Sequence, residues 1–330
     1  MIFTHFRNWT FLSLVFLVPL LFNPWGVDMY EMPKNTVLKL GIGLLGLLWA
    51  LESLRKKRIK IFLSKRMALV LLFFVVLLGL SWITSERPTM SFWGSYYKQG
   101  GVVNMIYYLL LFILSMDFFS AKENRILFLK VLSYSGCVVS IYALAQRIGF
   151  DFLPSSISDL FEGRSFSTLG NPSMLATFLL FPIGAELALL KNRPCRVSFF
   201  SLCLMFLALL ASRGRASLLG LIVVGLLLLF KHFKSSKKSL AILSGIGLFS
   251  LSVFFGIYGS DTRSLNSRFY LWESSIKMIE ARPIFGYGLE NFAHVFPSYV
   301  TADFYQSEDY MALADRPHNE FLEMWIHFGV

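Results

Sequence analysis

Long apolar runs separated by short polar gaps organise this chain. The run MALVLLFFVVLLGLSWI at 67–83 holds no charged residue, and comparable blocks recur along the length. Crossing ~30 Å of hydrocarbon takes about 20 apolar residues as a helix. The blocks predict helices at 9–23, 36–51, 67–84, 102–120, 126–146, 173–190, 197–212, 215–230 and 239–259. The expected fold class is an all-α polytopic membrane protein with about nine to ten transmembrane helices and a long, partly helical outer loop near the C-terminus.

Residues 197–230 require a break. One helix over that stretch would be ~51 Å long at 1.5 Å per residue, against a core of ~30 Å. It would also hold Arg213 and Arg215 at its centre, at about +2.5 to +3.5 kcal/mol each. Two spans meeting at Ser212-Arg213-Gly214-Arg215 remove both problems. The outer loop 260–317 contains an amphipathic helix at 266–282, with Arg268, Trp272, Ser275 and Ile279 on one stripe and Pro283 at its end. Residues 318–330 start a tenth helix that would reach only about 20 Å, so the chain is expected to be incomplete at its C-terminus.

Composition agrees with the pattern. Of 330 residues, 55% are hydrophobic and 15% charged, against roughly 45–50% and 25% in soluble proteins. A soluble enzyme, a secreted disulfide scaffold and a disordered chain are excluded. The net charge of +11 invites a nucleic-acid partner, but position argues against one. Seventeen of the 31 Lys and Arg fall in five short segments: Arg7, 55–66, Lys122 with Arg125, 191–196, and 231–238. These lie at alternate gaps between apolar blocks, as the positive-inside rule predicts for cytoplasmic loops. The loops at 24–35, 85–101, 147–172 and 260–317 then face outward. Trp25, Trp82, Trp93, Tyr96 and Tyr97 mark their edges, where aromatic rings settle at headgroups. Cys137, Cys195 and Cys203 have neither disulfide nor metal-site spacing. The first apolar block lacks a small-residue cleavage site and reads as a retained helix.

Candidate chemistry collects on the outer side: the Arg213/Arg215 pair, Arg268, and His318 within Asp315-Arg316-Pro317-His318-Asn319-Glu320. Arginine forks match phosphate oxygens and would hold a lipid-linked diphosphate, although single arginines at a membrane surface also serve as headgroup anchors. Asp315 is expected to cap the last helix and Pro317 to occupy its first turn. That would put His318 at the positive end of the helix dipole, which favours neutral imidazole able to accept a proton. No Asp-x-Asp pair, phosphate-cradling loop or i, i+4 metal pair occurs, so no cofactor and no metal are expected. Glu186 lies within a span and is expected to make a polar contact between helices.

These residues fall in recognisable segments. Phe92-Trp93-Gly94-Ser95-Tyr96-Tyr97-Lys98-Gln99-Gly100-Gly101, Arg164 to Pro172, Ser212-Arg213-Gly214, Arg268 with Trp272, Pro283 to Gly288 with Asn291-Phe292, and His318-Asn319-Glu320-Phe321-Leu322 follow one another in order. In this combination the chain resembles the O-antigen ligase and O-antigen polymerase superfamily of bacterial envelope glycosyltransferases. Ser173 departs from the usual second Asn of the family's GTLGNPN segment.

The resemblance implies N-terminal transmembrane helices over 1–196 and a ligase-like core domain over 197–330, with further helices beyond it. It implies a bacterial inner-membrane enzyme with a periplasmic active face. The activity implied is metal-independent, inverting transfer of a glycan from undecaprenyl diphosphate to an acceptor, either lipid A core or a growing chain. The functional residues it implies are Arg213 or Arg215, Arg268 and His318. Arg213 keeps the literal Ser-Arg-Gly, whereas Arg215 keeps the apolar register that follows. Ligase and polymerase share these motifs, and a flippase for the same lipid-linked glycan is the alternative of another class.

Overall fold

The computed structural model describes residues 2–59, 62–152, 161, 163–192, 196–232, 263–301, 304–305 and 314–329. Its helices track the apolar blocks: α1 Ile2–Leu17, α2 Glu31–Lys56, α3 Lys65–Ile83, α4 Pro88–Trp93, α5 Val102–Phe118, α6 Lys122–Arg147, α7 Pro172–Asn192, α8 Arg196–Ser212, α9 Arg215–His232, α10 Arg263–Ala281, α11 Phe292–Val295 and α12 Glu320–Phe328. No strand occurs among the described residues. Helix starts are set by short polar side chains that satisfy otherwise unpaired backbone N–H groups. Ser64 Oγ accepts from Met67 N at 3.2 Å, and the Asp28 carboxylate accepts from the backbone N–H of Tyr30, Glu31 and Met32.

Among the described residues, four helices are long and apolar enough to cross a membrane: α2, α3, α6 and α7 as far as Leu190. Helices α5 and α8, at 17 residues, are apolar but shorter. Of the nine to ten spans expected from the sequence, four meet both criteria among the described residues, and the expected span at 239–259 lies outside them. The break at 212–215 separates α8 from α9 as expected. The amphipathic helix before Pro283 runs from Arg263 to Ala281.

The chain divides into two compact units. One comprises residues 1–55 and 118–260, the other 56–117 and 261–330. In the first, α6, α7 and α8 pack on one another around Val139, Ala143, Leu175, Ala176, Leu179, Met205, Ala208 and Leu209. Several of these are small, which lets helix backbones approach where no hydrophobic effect drives them together. Ser133 of α6 donates to the buried Glu186 carboxylate of α7, the interhelical polar contact expected of that residue.

Arg7, near the start of α1, is buried and lies 2.9 Å from Glu52 near the end of α2. Thr4 Oγ1 donates to the same carboxylate at 2.7 Å. An apolar count along one segment cannot register that a charge is compensated from another helix.

In the second unit, α10, residues 287–301 with Phe304, and α12 bury Leu271, Met278, Ile279, Tyr287, Phe292, Phe296, Phe304 and Ile326. Leu78 of α3 and Val102 of α5 form a smaller cluster with Leu289. The apolar residues Leu69, Val70, Leu72 and Phe73 of α3 remain exposed, the surface expected where lipid is the solvent.

Candidate functional site

In the first unit the Ser-Arg-Gly turn is held by its own hydroxyl. Ser212 Oγ donates to Leu209 O at 2.6 Å and accepts from Gly214 N at 3.2 Å. Arg213 sits in the left-handed region at φ +50° and its side chain is exposed, whereas Arg215 opens α9 half-buried. A Cβ on Gly214 would lie 2.2 Å from the Cβ of Ala176, so the turn needs glycine to lie against α7.

The segment 164–171 binds this turn to the ends of several helices. Arg164 Nε donates to Ser212 O at 3.1 Å, and Ser165 N donates to Ala211 O at 3.2 Å. The Gln146 amide oxygen accepts from Phe166 N and Ser167 N, while its nitrogen donates to Asp151. Thr168 Oγ1 donates to Pro19 O at 2.7 Å, and Lys34 Nζ donates to Thr168 O at 2.5 Å. Arg164 opens a motif already recognisable in the sequence, whereas Gln146 and Lys34 were not anticipated as members of this arrangement. The available signal was their polarity at the ends of apolar blocks, beside a motif.

The second unit holds Arg268 and His318. Trp272, one turn after Arg268 on α10, donates its indole N–H to Pro317 O at 3.0 Å. Asp315 does not cap α12. The cap is Asn319, whose side-chain oxygen accepts from Phe321 N at 3.0 Å and Leu322 N at 3.4 Å. Asp315 instead pairs with Lys98, and Arg316 lies 3.9 Å from the same carboxylate. Desolvation opposes the charge on Asp315, but the Lys98 hydrogen bond and charge, with Arg316, hold its carboxyl below the usual range.

His318 precedes the cap, in the left-handed region at φ +52°. Desolvation lowers its imidazole below the ordinary value; Asp315 opposes this, and Arg268, Arg316 and Lys98 reinforce it. The neutral form expected from the sequence is favoured, with partial burial as the leading cause and neighbouring cations in support. Arg268 and His318 thus act on each other electrostatically within one unit, and the Arg268 side chain is exposed.

The Pro-Ile-Phe-Gly-Tyr-Gly turn closes the far end of α12. Tyr287 N donates to Ile326 O at 2.7 Å, Gly288 N to His327 O at 3.2 Å, and Ser81 Oγ to His327 O at 2.7 Å. Carbonyls left over at a helix C-terminus are satisfied in this way. Asn291 is fully buried beneath the turn. Its Nδ2 lies 2.8 Å from Ser85 Oγ, Ser91 Oγ and Tyr287 O, and 3.2 Å from Leu289 O.

Backbone strain picks out the same segments. Among the described residues, the non-glycine residues at positive φ are Lys57, Gln99, Ser167, Arg213, Glu290 and His318. All but Lys57 lie in or beside the motifs that carry the sequence resemblance. Such conformations cost about 1–3 kcal/mol each and concentrate at functional sites. Among the described residues no group of three or more His, Cys, Asp and Glu is placed to hold a metal ion.

No curated protein and no solved structure matches this chain. Residues 200–330 match the model of a family described as O-antigen ligase. That stretch contains the Ser-Arg-Gly turn, Arg268 with its Trp272 tether, and the strained His318, and over it the chain is similar to the O-antigen ligase family.

Proposed function

We propose that this protein transfers a glycan from undecaprenyl diphosphate to an acceptor hydroxyl at the periplasmic face of the bacterial inner membrane. The observation that carries the reading is His318: a residue at strained backbone φ whose imidazole is shifted toward the neutral form by partial burial, with Arg268 and Arg316 in support, in a stretch that matches the O-antigen ligase family. In the step proposed, the acceptor oxygen attacks the anomeric carbon with inversion and its proton passes to His318. The bond from that carbon to the diphosphate oxygen breaks, and undecaprenyl diphosphate leaves.

Arg268 would hold the diphosphate and stabilise the charge it gains, without a metal ion, and the family resemblance implies a diphosphate-binding role for Arg213 or Arg215 as well. The strained, exposed backbone position of Arg213 favours it for this role. The acceptor is lipid A core for a ligase and a growing glycan for a polymerase of the same superfamily. A lipid-linked glycan flippase would use the same ligand without forming a bond.

The test is glycan transfer by reconstituted protein supplied with the lipid-linked donor. His318→Ala and Arg268→Ala are each expected to reduce turnover by at least about a hundredfold. Undiminished transfer in both would overturn the mechanism, and movement of labelled lipid between leaflets without a new glycosidic bond would favour the flippase. Deletion and complementation separate the remaining pair. Polymer left on the carrier lipid indicates a ligase, and cores bearing a single repeat indicate a polymerase.

A further inference from the structure

Two cavities in the second unit adjoin as the two parts of a cleft, with Met90 and Ser95 in the walls of both. The outer one, about 580 Å³, is open and is walled by Trp93 and Tyr96. The inner one, about 170 Å³, is lined by Tyr97, Lys98, Glu290 and Glu323. The three rings are 62%, 64% and 55% exposed in chain order, and Tyr96 and Tyr97 stand edge to face with centroids 5.4 Å apart. Rings alone would be accounted for by an interfacial girdle. Carboxylates lining the inner cavity beside Tyr97 would not.

Glu290 is placed there at a cost. It adopts φ +62°, which a non-glycine residue rarely does, directly after the Gly-Tyr-Gly-Leu turn. Its Oε1 occupies the notch left by Gly100, 2.1 Å from where a Cβ would stand. Two separate motifs therefore cooperate to hold one carboxylate at the cleft wall.

The charges select the ligand class. Glu290, Glu323 and Asp315 offer acceptors, while Lys98 and Arg316 offer donors. An anion in the inner cavity would meet three carboxylates. A neutral, hydroxyl-rich ring meets both donors and acceptors, and its C–H face can lie on an aromatic side chain. Asp315 and Arg316, which wall the inner cavity, also lie within three residues of His318 in the chain.

Building on the transferase reading, we infer that this cleft binds a sugar of the acceptor glycan, with Tyr97 as its platform and Glu290 and Glu323 accepting from its hydroxyls. The test needs neither donor nor turnover. Saturation-transfer NMR would be recorded on the full chain in sugar-free phosphatidylcholine nanodiscs with methyl glycosides of glucose, galactose and N-acetylglucosamine. At least one glycoside should receive saturation. Tyr97→Ala should weaken it about tenfold, Tyr97→Phe should retain it, and Glu290→Gln should weaken it without altering the melting temperature. No saturation with any glycoside, or equal saturation in wild type, Tyr97→Ala and Glu290→Gln, would overturn the subsite. Neither result bears on the transferase reading, which rests on bond formation from the donor. In a transfer assay the same variants should raise the acceptor KM and leave the donor KM unchanged; an unchanged acceptor KM would also overturn the subsite.

Discussion

The indole N–H of Trp272 donates to the carbonyl oxygen of Pro317 at 3.0 Å, one residue before His318. Arg268 lies one helical turn before Trp272. The hydrogen bond therefore ties the turn carrying the imidazole to the helix carrying the guanidinium, and links the placement of the two proposed catalytic groups.

Trp272→Phe keeps a ring in place and removes the donor. The expected outcome is a severalfold fall in glycan transfer with a stability loss of only about 1 kcal/mol, the scale of one hydrogen bond. Steady-state transfer and thermal unfolding of the same preparation check it. A purely structural role would lower the melting temperature and leave the rate constant per folded molecule unchanged.

The pH dependence has a defined sign. His318 acts as a base only when neutral, and its pKa is lowered, so activity should persist below the ordinary histidine range of about 6.5. Arg316→Gln removes a charge that lowers the pKa, and the acidic limb should move to higher pH. Asp315→Asn removes the charge that raises it, and the limb should move to lower pH. Transfer rates across pH for the two variants should displace in opposite directions.

Gly214→Ala would force a Cβ to 2.2 Å from that of Ala176. Overpacking of this kind costs about 1–3 kcal/mol. The double variant Gly214→Ala/Ala176→Gly returns the space and should recover much of the loss, which thermal unfolding of the three proteins in one detergent would measure.

Asn291→Ala should be more damaging. It strips the donor from a buried site where Ser85, Ser91 and the carbonyls of Tyr287 and Leu289 converge. Leaving such acceptors short of a partner costs about 1–3 kcal/mol for each group left unsatisfied. A drop in melting temperature with loss of folded yield is the expected readout; Asn291→Ser, which keeps a hydroxyl donor, should fall between.

Breaking the buried pair of Arg7 and Glu52, 2.9 Å apart, leaves a charge uncompensated. Either Arg7→Met or Glu52→Leu alone should destabilise by about 3–5 kcal/mol, while the double variant should come close to wild type. Expression level and unfolding midpoint of the two single variants and the double variant test this.

What the sequence determined by itself was local. Apolar runs, polar gaps and length placed the helices, because covering backbone polar groups in hydrocarbon leaves few options other than helix. The break at Ser212 to Arg215 followed from the same arithmetic. The order of short motifs was enough to show the resemblance, although each motif's job was hidden.

Tertiary structure decided those jobs. Only in the fold does Gly100 make room for Glu290, Trp272 reach Pro317, and the Gly-Tyr-Gly turn satisfy the carbonyls of α12. The sequence reading named Asp315 as the cap of α12, since an acidic residue shortly before a helix is a good local signal; Lys98, 217 positions away, draws it elsewhere and leaves the cap to Asn319. The partner of Arg7 is hidden from the sequence for the same reason, Glu52 being 45 residues distant in α2. Hydrogen bonds and charge pairs act over a few ångströms of space regardless of separation along the chain, so their partners are set by the fold and not by the pattern that builds each helix.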